Sequence, residues 1–541
     1  MMTGHDKRTG MTPERQTKTI ARSAGTVSIA VFASRIFGLI REQVFAALFG
    51  AGFAFDAFVV AFRIPNLLRD LFAEGALSAA FVTVFTDYRT KRGHEETWQL
   101  ARTVLTGAAL VTGGIALIGA LSSGWIVSLM APEFSNVPGK HGLTTLMTWI
   151  MFPFLTLVSL ASIVMGILNT LGVFFIPALS SSFFNLGSIV TGVALYFVMP
   201  LLGLHPIVGM AIGVLCGGIL QLGVQLPVLR AHGFRFRPVV NFSDAGLRRI
   251  GRLMIPAVIG LSATEINIFV NTFFASSCVQ GSVSWLNYAF RVLMFPIGLV
   301  GVSLSIATMP VVARHAAAGD VQRLREAYVS STVLSLVFSV PATFGLIFLA
   351  QSIIRVIFEH GNFNAFDTVN TAQALIFYAV GLFAYAGLKI IVPVFYALNK
   401  TRYPVIGSFI GVFMNIAIVL ASLRLFQHRA IALSTSLCII ANFMFLVFVL
   451  YRAVGGFAIG YIARCLAKIV PISLVMGAGV YGIDAGCRSL LGGKIFENLI
   501  SLCVAIGCGA LFYALAVSKS GINEIIPIKN KLISKLLGGR A

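Results

Sequence analysis

The chain has 541 residues, of which 57% are hydrophobic and only 11% charged. Soluble domains carry about 25% charged residues, so a large water-soluble core is excluded and a polytopic membrane protein is indicated. The net charge of +21 would point to nucleic acid on a soluble protein, but here the basic residues gather in short loops between apolar runs, which is a membrane-topology pattern.

The N-terminus is basic (Lys7, Arg8, Arg15, Lys18, Arg22) ahead of an apolar stretch. That stretch continues through Arg35 and Arg41 without a convincing cleavage site, so it reads as a retained first helix. A spanning helix needs about 20 mainly apolar residues. About fourteen segments qualify, near 22–49, 53–88, 101–130, 143–171, 176–201, 206–231, 247–276, 283–312, 327–358, 368–398, 402–426, 429–453, 461–485 and 493–518. The long second segment contains Pro65-Asn66, where the lost helix hydrogen bond predicts a kink or hinge.

Loop charge orients these segments. With the N-terminus placed inside, the same side receives Arg89, Lys91 and Arg92, then Arg230, Arg235, Arg237, Arg248 and Arg249, and later Arg314, Lys400, Arg402, Arg452 and Lys519. The opposite loops hold few cations, among them Lys140, Arg424 and Lys494. This bias predicts an even number of spans with both ends cytoplasmic. The seven cysteines fall mostly in apolar runs without metal spacing, and the histidines fall mostly in predicted loops, so no metal site is expected.

The chain also repeats. Ala61-Phe62-Arg63 recurs as Ala289-Phe290-Arg291, an offset of 228 positions, while Leu168-Asn169 recurs as Leu398-Asn399 and Asn185 as Asn415, both offset by 230. A near-common offset between helices of matching rank predicts two six-helix lobes of the same orientation, related by an axis along the membrane normal. The expected organisation is a basic segment 1–21, an N-lobe 22–231, a linker 232–246, a C-lobe 247–455, an additional helix pair 456–520 and a basic tail 521–541.

Arginines inside the spans carry the functional reading. Counting about 1.5 Å per residue from the expected entry points places Arg35 and Arg69 about 20 Å along their helices, Arg41 about 28 Å and Arg291 about 12 Å. An arginine at a helix centre costs about 2.5–3.5 kcal/mol on insertion scales, and its planar fork matches phosphate oxygens. A wet cavity that receives a phosphate-bearing molecule is therefore expected, with Arg35, Arg41, Arg69 and Arg291 binding it. The competing reading pairs these cations with Glu42, Asp56, Asp70 and Glu74 as structural ion pairs. Against it, Arg41–Glu42 and Arg69–Asp70 are sequence neighbours, whose side chains leave a helix about 100° apart, so direct pairing is not expected. Glu265 and Lys389, also within spans, are candidates for ion coupling or for structural pairing and snorkelling.

Several motifs then carry a family resemblance. Ser34-Arg35-Ile-Phe-Gly-Leu-Ile-Arg41-Glu42, Gly50-Ala-Gly, Asp56-Ala-Phe, Phe62-Arg-Ile-Pro-Asn-Leu-Leu-Arg69 and Phe72-Ala-Glu-Gly-Ala resemble the opening of the MurJ (MviN) family of bacterial lipid II flippases. Gly166-Ile-Leu-Asn, Gly281-Ser-Val-Ser-Trp-Leu and Phe395-Tyr-Ala-Leu extend the likeness to about residue 455. The resemblance implies a fold of the MOP transporter superfamily: two six-helix lobes around a cationic cavity, with two further helices lining a groove for a lipid tail. It implies transport of undecaprenyl-diphosphate-linked disaccharide-pentapeptide from the cytoplasmic to the outer leaflet of the bacterial inner membrane. The family's functional arginines fall on Arg35, Arg41, Arg69 and Arg291, and its outer-gate aspartate on Asp56. Many members carry acids where this chain has Phe290 and Met294, so roles given to those acids do not transfer.

The expected activity is lipid II flipping by alternating access, without catalysis, cofactor or nucleic acid. Lipid II, membrane lipids and cell-wall synthesis proteins are the expected partners. Membrane potential is a natural drive for cationic machinery, with a monovalent coupling ion as the other source. The alternatives are another MOP-type exporter, of drugs or of a different polyprenyl-linked glycan, and a membrane enzyme acting on polyprenyl phosphates. Acidic cavity residues would suit cationic drugs better than this arginine set, and an enzyme would need paired carboxylates near a membrane face. The close pair Asp70 and Glu74 lies within a span instead.

Overall fold

A computed structural model describes residues 13–71, 76–491, 495–527 and 530 of the chain, and among them there are helices but no strand. The first half contributes α1 (Pro13–Phe49), α2 (Phe53–Arg69), α3 (Ala76–Lys91), α4 (His94–Leu121), α5 (Ser123–Met130), α6 (Lys140–Met151), α7 (Phe154–Thr170), α8 (Phe175–Val198), α9 (Ile207–Gly223) and α10 (Leu226–Ala231). The second contributes α11 (Ala245–Ser276), α12 (Ser282–Pro296), α13 (Ser303–Ala317), α14 (Val321–Phe358), α15 (Ala365–Ala379), α16 (Leu382–Ala397), α17 (Arg402–Phe426), α18 (His428–Ala453), α19 (Ile459–Leu491) and α20 (Ile495–Ser518).

Eleven described segments are long and apolar enough to cross a membrane, and α15 with α16, bent by 44°, makes a twelfth. They coincide with the last twelve expected spans. The expected total of fourteen is not reached by this measure. The difference lies in the first two segments, 22–49 and 53–88, which carry most of the intramembrane charge and fold as α1 and as α2 plus α3. The protein is thus a multi-pass membrane protein whose large exposed apolar residues, such as Leu121, Phe197, Phe413 and Leu515, face lipid rather than water.

The described chain divides into two compact units. One holds the chain up to Val44, Val60–Ser128 and Val137–Leu261, and the other holds Phe45–Val59, Leu129–Asn136 and the chain from Ser262 onward. These borders differ from the expected lobes. The linker 232–246 and the start of α11 stay with the first unit because they are tied to it: Arg102 Nε donates to the Arg235 carbonyl at 3.1 Å and Val239 N to Thr106 Oγ1 at 3.1 Å. Arg249 also pairs with Asp87 at 2.6 Å. The core of this unit gathers Phe81, Phe85, Trp98, Ile167 and Phe234.

In its outer layer α8 and α9 approach through glycines. A Cβ on Gly213 would lie 2.6 Å from the Ser188 carbonyl oxygen, and one on Gly217 2.5 Å from that of Phe184. Small residues permit such contact where no hydrophobic effect drives helices together in lipid.

The second unit includes the additional helix pair in its own core, where Cys465, Ile469, Val480, Leu502 and Tyr513 pack with Tyr328, Val337 and Leu446. Asp484 on α19 is buried and accepts from Ser352 of α14 at 2.6 Å and Ser501 of α20 at 2.8 Å, while pairing with Arg488 at 2.8 Å. One carboxylate thereby joins three helices.

Residues of the expected repeat each tie two helices within their own unit. Asn185 of α8 donates to the Ser34 carbonyl of α1 at 3.4 Å; its counterpart Asn415 of α17 donates to Asn267 and Asn271 of α11 at 2.6 and 2.7 Å. Asn271 passes the chain of bonds on to Thr435 of α18 at 3.0 Å. Asn169 and Asn399 both lie at helix ends, of α7 and just past α16. The second helix of each half also leaves α geometry at a matching point, with π-helical turns at 70–71 and Ile297–Val302. Such turns insert one residue into the helical ladder and recur at functional positions.

Arginines of the spanning helices and the buried cap of α12

Arg35 projects from the middle of α1, is exposed, and makes no ion pair with any described residue. One and a half turns on, Arg41 is largely buried and its Nη2 lies 3.0 Å from Glu42 Oε1, with side-chain exposures of 11% and 7%. The Arg41 guanidinium also sits 5.5 Å from the centre of the Phe184 ring on α8, within cation–π range. On α2, Arg69 donates through Nε and Nη2 to Asp70 Oδ1 at 3.0 and 2.8 Å, and Asn66 Nδ2 donates to Asp70 Oδ2 at 3.2 Å.

Both neighbour pairs correct the expectation that adjacent residues would not pair. Backbone directions 100° apart separate the Cβ atoms, but the three-methylene arm of arginine swings back across that gap. Inside a low-dielectric span the attraction makes the detour worthwhile. Arg41 and Arg69 are therefore charge-compensated, whereas Arg35 has no carboxylate partner among the described residues. A phosphate reaching Arg69 would have to exchange with Asp70 for the same face of the guanidinium.

Arg291, on α12 in the second unit, is exposed. Beside it, Phe290 occupies a place where the resemblance leads one to expect an acid. Its ring instead meets Tyr378 at 5.4 Å and Tyr385 at 6.4 Å between centroids, an aromatic cluster in place of a carboxylate. Lys389 on α16 is also exposed, and its methylene stem lies against Gly301 of the π-helical turn. Glu265 on α11 is buried. Pro65 and Asn66 lie within a continuous α2, and the helical winding changes five residues later, at 70–71. Glu74 lies outside the described residues.

Asp56 has the most sharply defined environment of the expected site residues. It is 2% exposed and accepts from Gly281 N at 2.8 Å, Ser284 N at 2.9 Å and Ser284 Oγ at 2.6 Å. The first turn of a helix has unsatisfied N–H groups, and the N-cap of α12 is Gly281, which has no side chain to serve them. Asp56 supplies the cap from another helix, and its negative charge suits the positive end of the α12 dipole. Sequence reading found Asp56 but missed Asp367. This buried residue accepts from Trp285 Nε1 of α12 at 3.0 Å and forms a capping box with Asn364. The Asn-x-x-Asp spacing was legible as a helix start; the tryptophan partner, 82 residues away, was not.

These features can be set beside known proteins. The family model described as lipid II flippase MurJ matches residues 45–499. The chain belongs to the MurJ family. A Burkholderia cenocepacia protein named lipid II flippase MurJ is 34% identical over 388 residues, covering 71% of this chain and 74% of that protein. A Vibrio cholerae serotype O1 protein, named as a probable lipid II flippase MurJ, is 32% identical over 518 residues, covering 93% and 97%. Among solved structures, a lipid II flippase MurJ in an inward closed conformation superposes with a TM-score of 0.74 at 27% identity, covering 90% of this chain and 98% of that one. An inward-facing multidrug-resistance MATE transporter of the MOP superfamily superposes at 0.66 with 14% identity, a likeness of fold alone. As a MurJ family member the protein is a transporter, and its fold is like that of the MATE transporter.

Proposed function

We propose that this protein moves lipid II from the cytoplasmic to the outer leaflet by alternating access, its diphosphate being received by Arg35, Arg41, Arg69 and Arg291. The match to the MurJ family over residues 45–499 carries this reading. Chemistry supports it: Arg35 pairs with no carboxylate among the described residues, and within a membrane a guanidinium is costly unless an anion or water meets it. Arg41 and Arg69, held by Glu42 and Asp70, supply donors that a doubly charged head group can take over by exchange. The polyprenyl tail stays in lipid throughout, so only the head group needs a polar path.

In this scheme both chain ends lie in the cytoplasm of a bacterium, the inner membrane is the site of action, and Asp56 works at the outer gate. Membrane potential or a monovalent ion supplies the drive, and cell-wall synthesis proteins receive the delivered lipid. The test is reconstitution into proteoliposomes with fluorescent lipid II and measurement of its outward movement. Arg35→Ala and Arg291→Ala are expected to slow movement by at least about tenfold, the loss of a single charge-assisted contact, with folding unchanged. Wild-type rates in both variants would refute the assignment of these arginines.

A further inference from the structure

The turn between α1 and α2, residues 47–52, is gripped by a loop distant in sequence. Asn362, in the connection between α14 and α15, donates through its backbone N to the Ala47 carbonyl at 2.9 Å and through Nδ2 to the Leu48 carbonyl at 2.6 Å. Tyr288 of α12 donates through its hydroxyl to the Gly50 carbonyl at 3.2 Å. Asp367, at the start of α15, accepts from Trp285 Nε1 at 3.0 Å and from the Asn364 backbone N at 3.2 Å. With only 3% of its surface exposed, Asp367 ties the start of α15 to α12, the helix whose Tyr288 holds the α1–α2 turn.

The two segments meet backbone to backbone, and glycine makes that possible on each side. Gly50 has φ +63 and Gly361 φ +58, a left-handed conformation that residues with a Cβ rarely adopt. A Cβ on Gly50 would sit 2.5 Å from the Asn362 carbonyl oxygen, and one on Gly361 would overlap the Ala47 carbonyl oxygen. The backbone contact at the end of α1 is made by hydrogen bonds, beside a buried stack in which Tyr288 meets Phe55 at 4.7 Å and Phe363 at 5.4 Å. Water can take over each such bond when the segments part, so its net worth is small and its release reversible.

We propose that the α14–α15 loop, through Gly361, Asn362 and Asp367, is the catch of the outer gate, and that the α1–α2 turn is the bolt it holds. This rests on the reading of Asp56 as a gate residue, since Asp56 caps the same α12 end that carries Trp285 and Tyr288. Release of the catch accompanies each outward opening. These are positioning residues: they govern which state the protein occupies and do not touch the substrate.

The experiment uses full-length protein in right-side-out proteoliposomes, with the seven native cysteines replaced and Ser282→Cys introduced. Ser282 is fully buried beside the α12 cap, so a membrane-impermeant maleimide reaches it only when the gate opens. Gly361→Ala, Asn362→Ala and Asp367→Asn are each expected to raise the labelling rate by about fivefold or more through a shift toward the open population. Gly139→Ala and Gly203→Ala serve as controls. Their φ values are +78 and +70 with no atom within 4 Å of the added Cβ, so they carry the same backbone strain without the collision.

Labelling unchanged in the three catch variants would overturn the proposal. So would an equal rise in the control glycines, or a rise that follows a fall in melting temperature. If the cysteine-free chain folds poorly, hydrogen exchange of residues 47–52 in the native-cysteine protein, with and without Asn362→Ala, separates the same outcomes: faster exchange in the variant supports the catch, and unchanged exchange overturns it. None of these readouts needs substrate. A parent protein that fails to move lipid II refutes the flippase reading alone, whereas intact transport with unmoved labelling refutes the catch alone.

Discussion

Replacing Asp56 by asparagine is the sharpest test of how α12 is held. The carboxylate accepts three hydrogen bonds, at 2.8, 2.9 and 2.6 Å, from a helix whose own N-cap is glycine. Asparagine keeps one acceptor oxygen but presents an NH₂ where the other oxygen stood, so one of the two N–H groups, Gly281 or Ser284, faces a donor. Losing one charge-assisted bond costs about 1.5–3 kcal/mol, and removing negative charge from the end of the helix dipole costs up to about 2 kcal/mol more in a partly buried site. A combined loss of about 2–4 kcal/mol shifts the capped-to-frayed ratio of the α12 N-terminus by about 30- to 1,000-fold. Hydrogen-exchange mass spectrometry on a peptide spanning 279–288 reads this directly: exchange should accelerate by at least about tenfold while distant peptides in α8 and α9 keep their protection. Native protection at 281–284 in Asp56→Asn would show that the cap contributes little and that the geometric reasoning is wrong.

Other outcomes follow from the same structure. Asn415→Leu removes both amide bonds to α11 from a fully buried position; a loss of about 2–3 kcal/mol should appear as a lower melting temperature. Asn185→Leu, which breaks one long bond to α1, should cost less, about 1 kcal/mol, and equal losses would contradict the comparison. Asp484→Ala strips Ser352, Ser501 and Arg488 of their shared acceptor and leaves a half-buried arginine unpaired, so about 3–5 kcal/mol should be lost. Limited proteolysis should then cut first around α19 and α20, and cleavage elsewhere first would argue against this carboxylate as the tie. Gly213→Leu forces α8 and α9 apart at Ser188 and should destabilise the first unit by about 1–3 kcal/mol or more, read as reduced yield and melting temperature.

Much of the fold was legible because a bilayer imposes a one-dimensional rule. A span must be long and apolar regardless of what it packs against, so the last twelve segments could be found from hydropathy alone. Two of the borders, Arg402–Phe426 and His428–Ala453, fall within a residue of the expected 402–426 and 429–453. The first two segments were harder because Arg35, Arg41, Asp56, Arg69 and Asp70 dilute the same signal. The repeat could be read from Asn185 and Asn415 as a coincidence of spacing; their matched bonds to α1 and α11 supply its structural content.

The candidate site was less legible. Residue type and depth identified Arg35, Arg41, Arg69 and Arg291 as charged groups within expected spans, and the family resemblance singled out Asp56, but neither gave their surroundings. Helical-wheel geometry gave the wrong answer for Arg41–Glu42 and Arg69–Asp70, because it fixes where a side chain starts and not where a long flexible arm ends.

The chain order of apolar and charged residues thus determined that this protein crosses a membrane many times, that short motifs recur at a near-common offset, and that fixed positive charge lies within its helices. Only the tertiary structure decided which of those charges are compensated, that the 232–246 linker stays with the first unit, and that Asp56, Asp367 and Asp484 each join separate helices. The reason is one of range. Burial in lipid acts on every residue locally, whereas a carboxylate's partners are set by side chains that folding brings together from as far as 228 positions away, as Asp56 and Ser284 are.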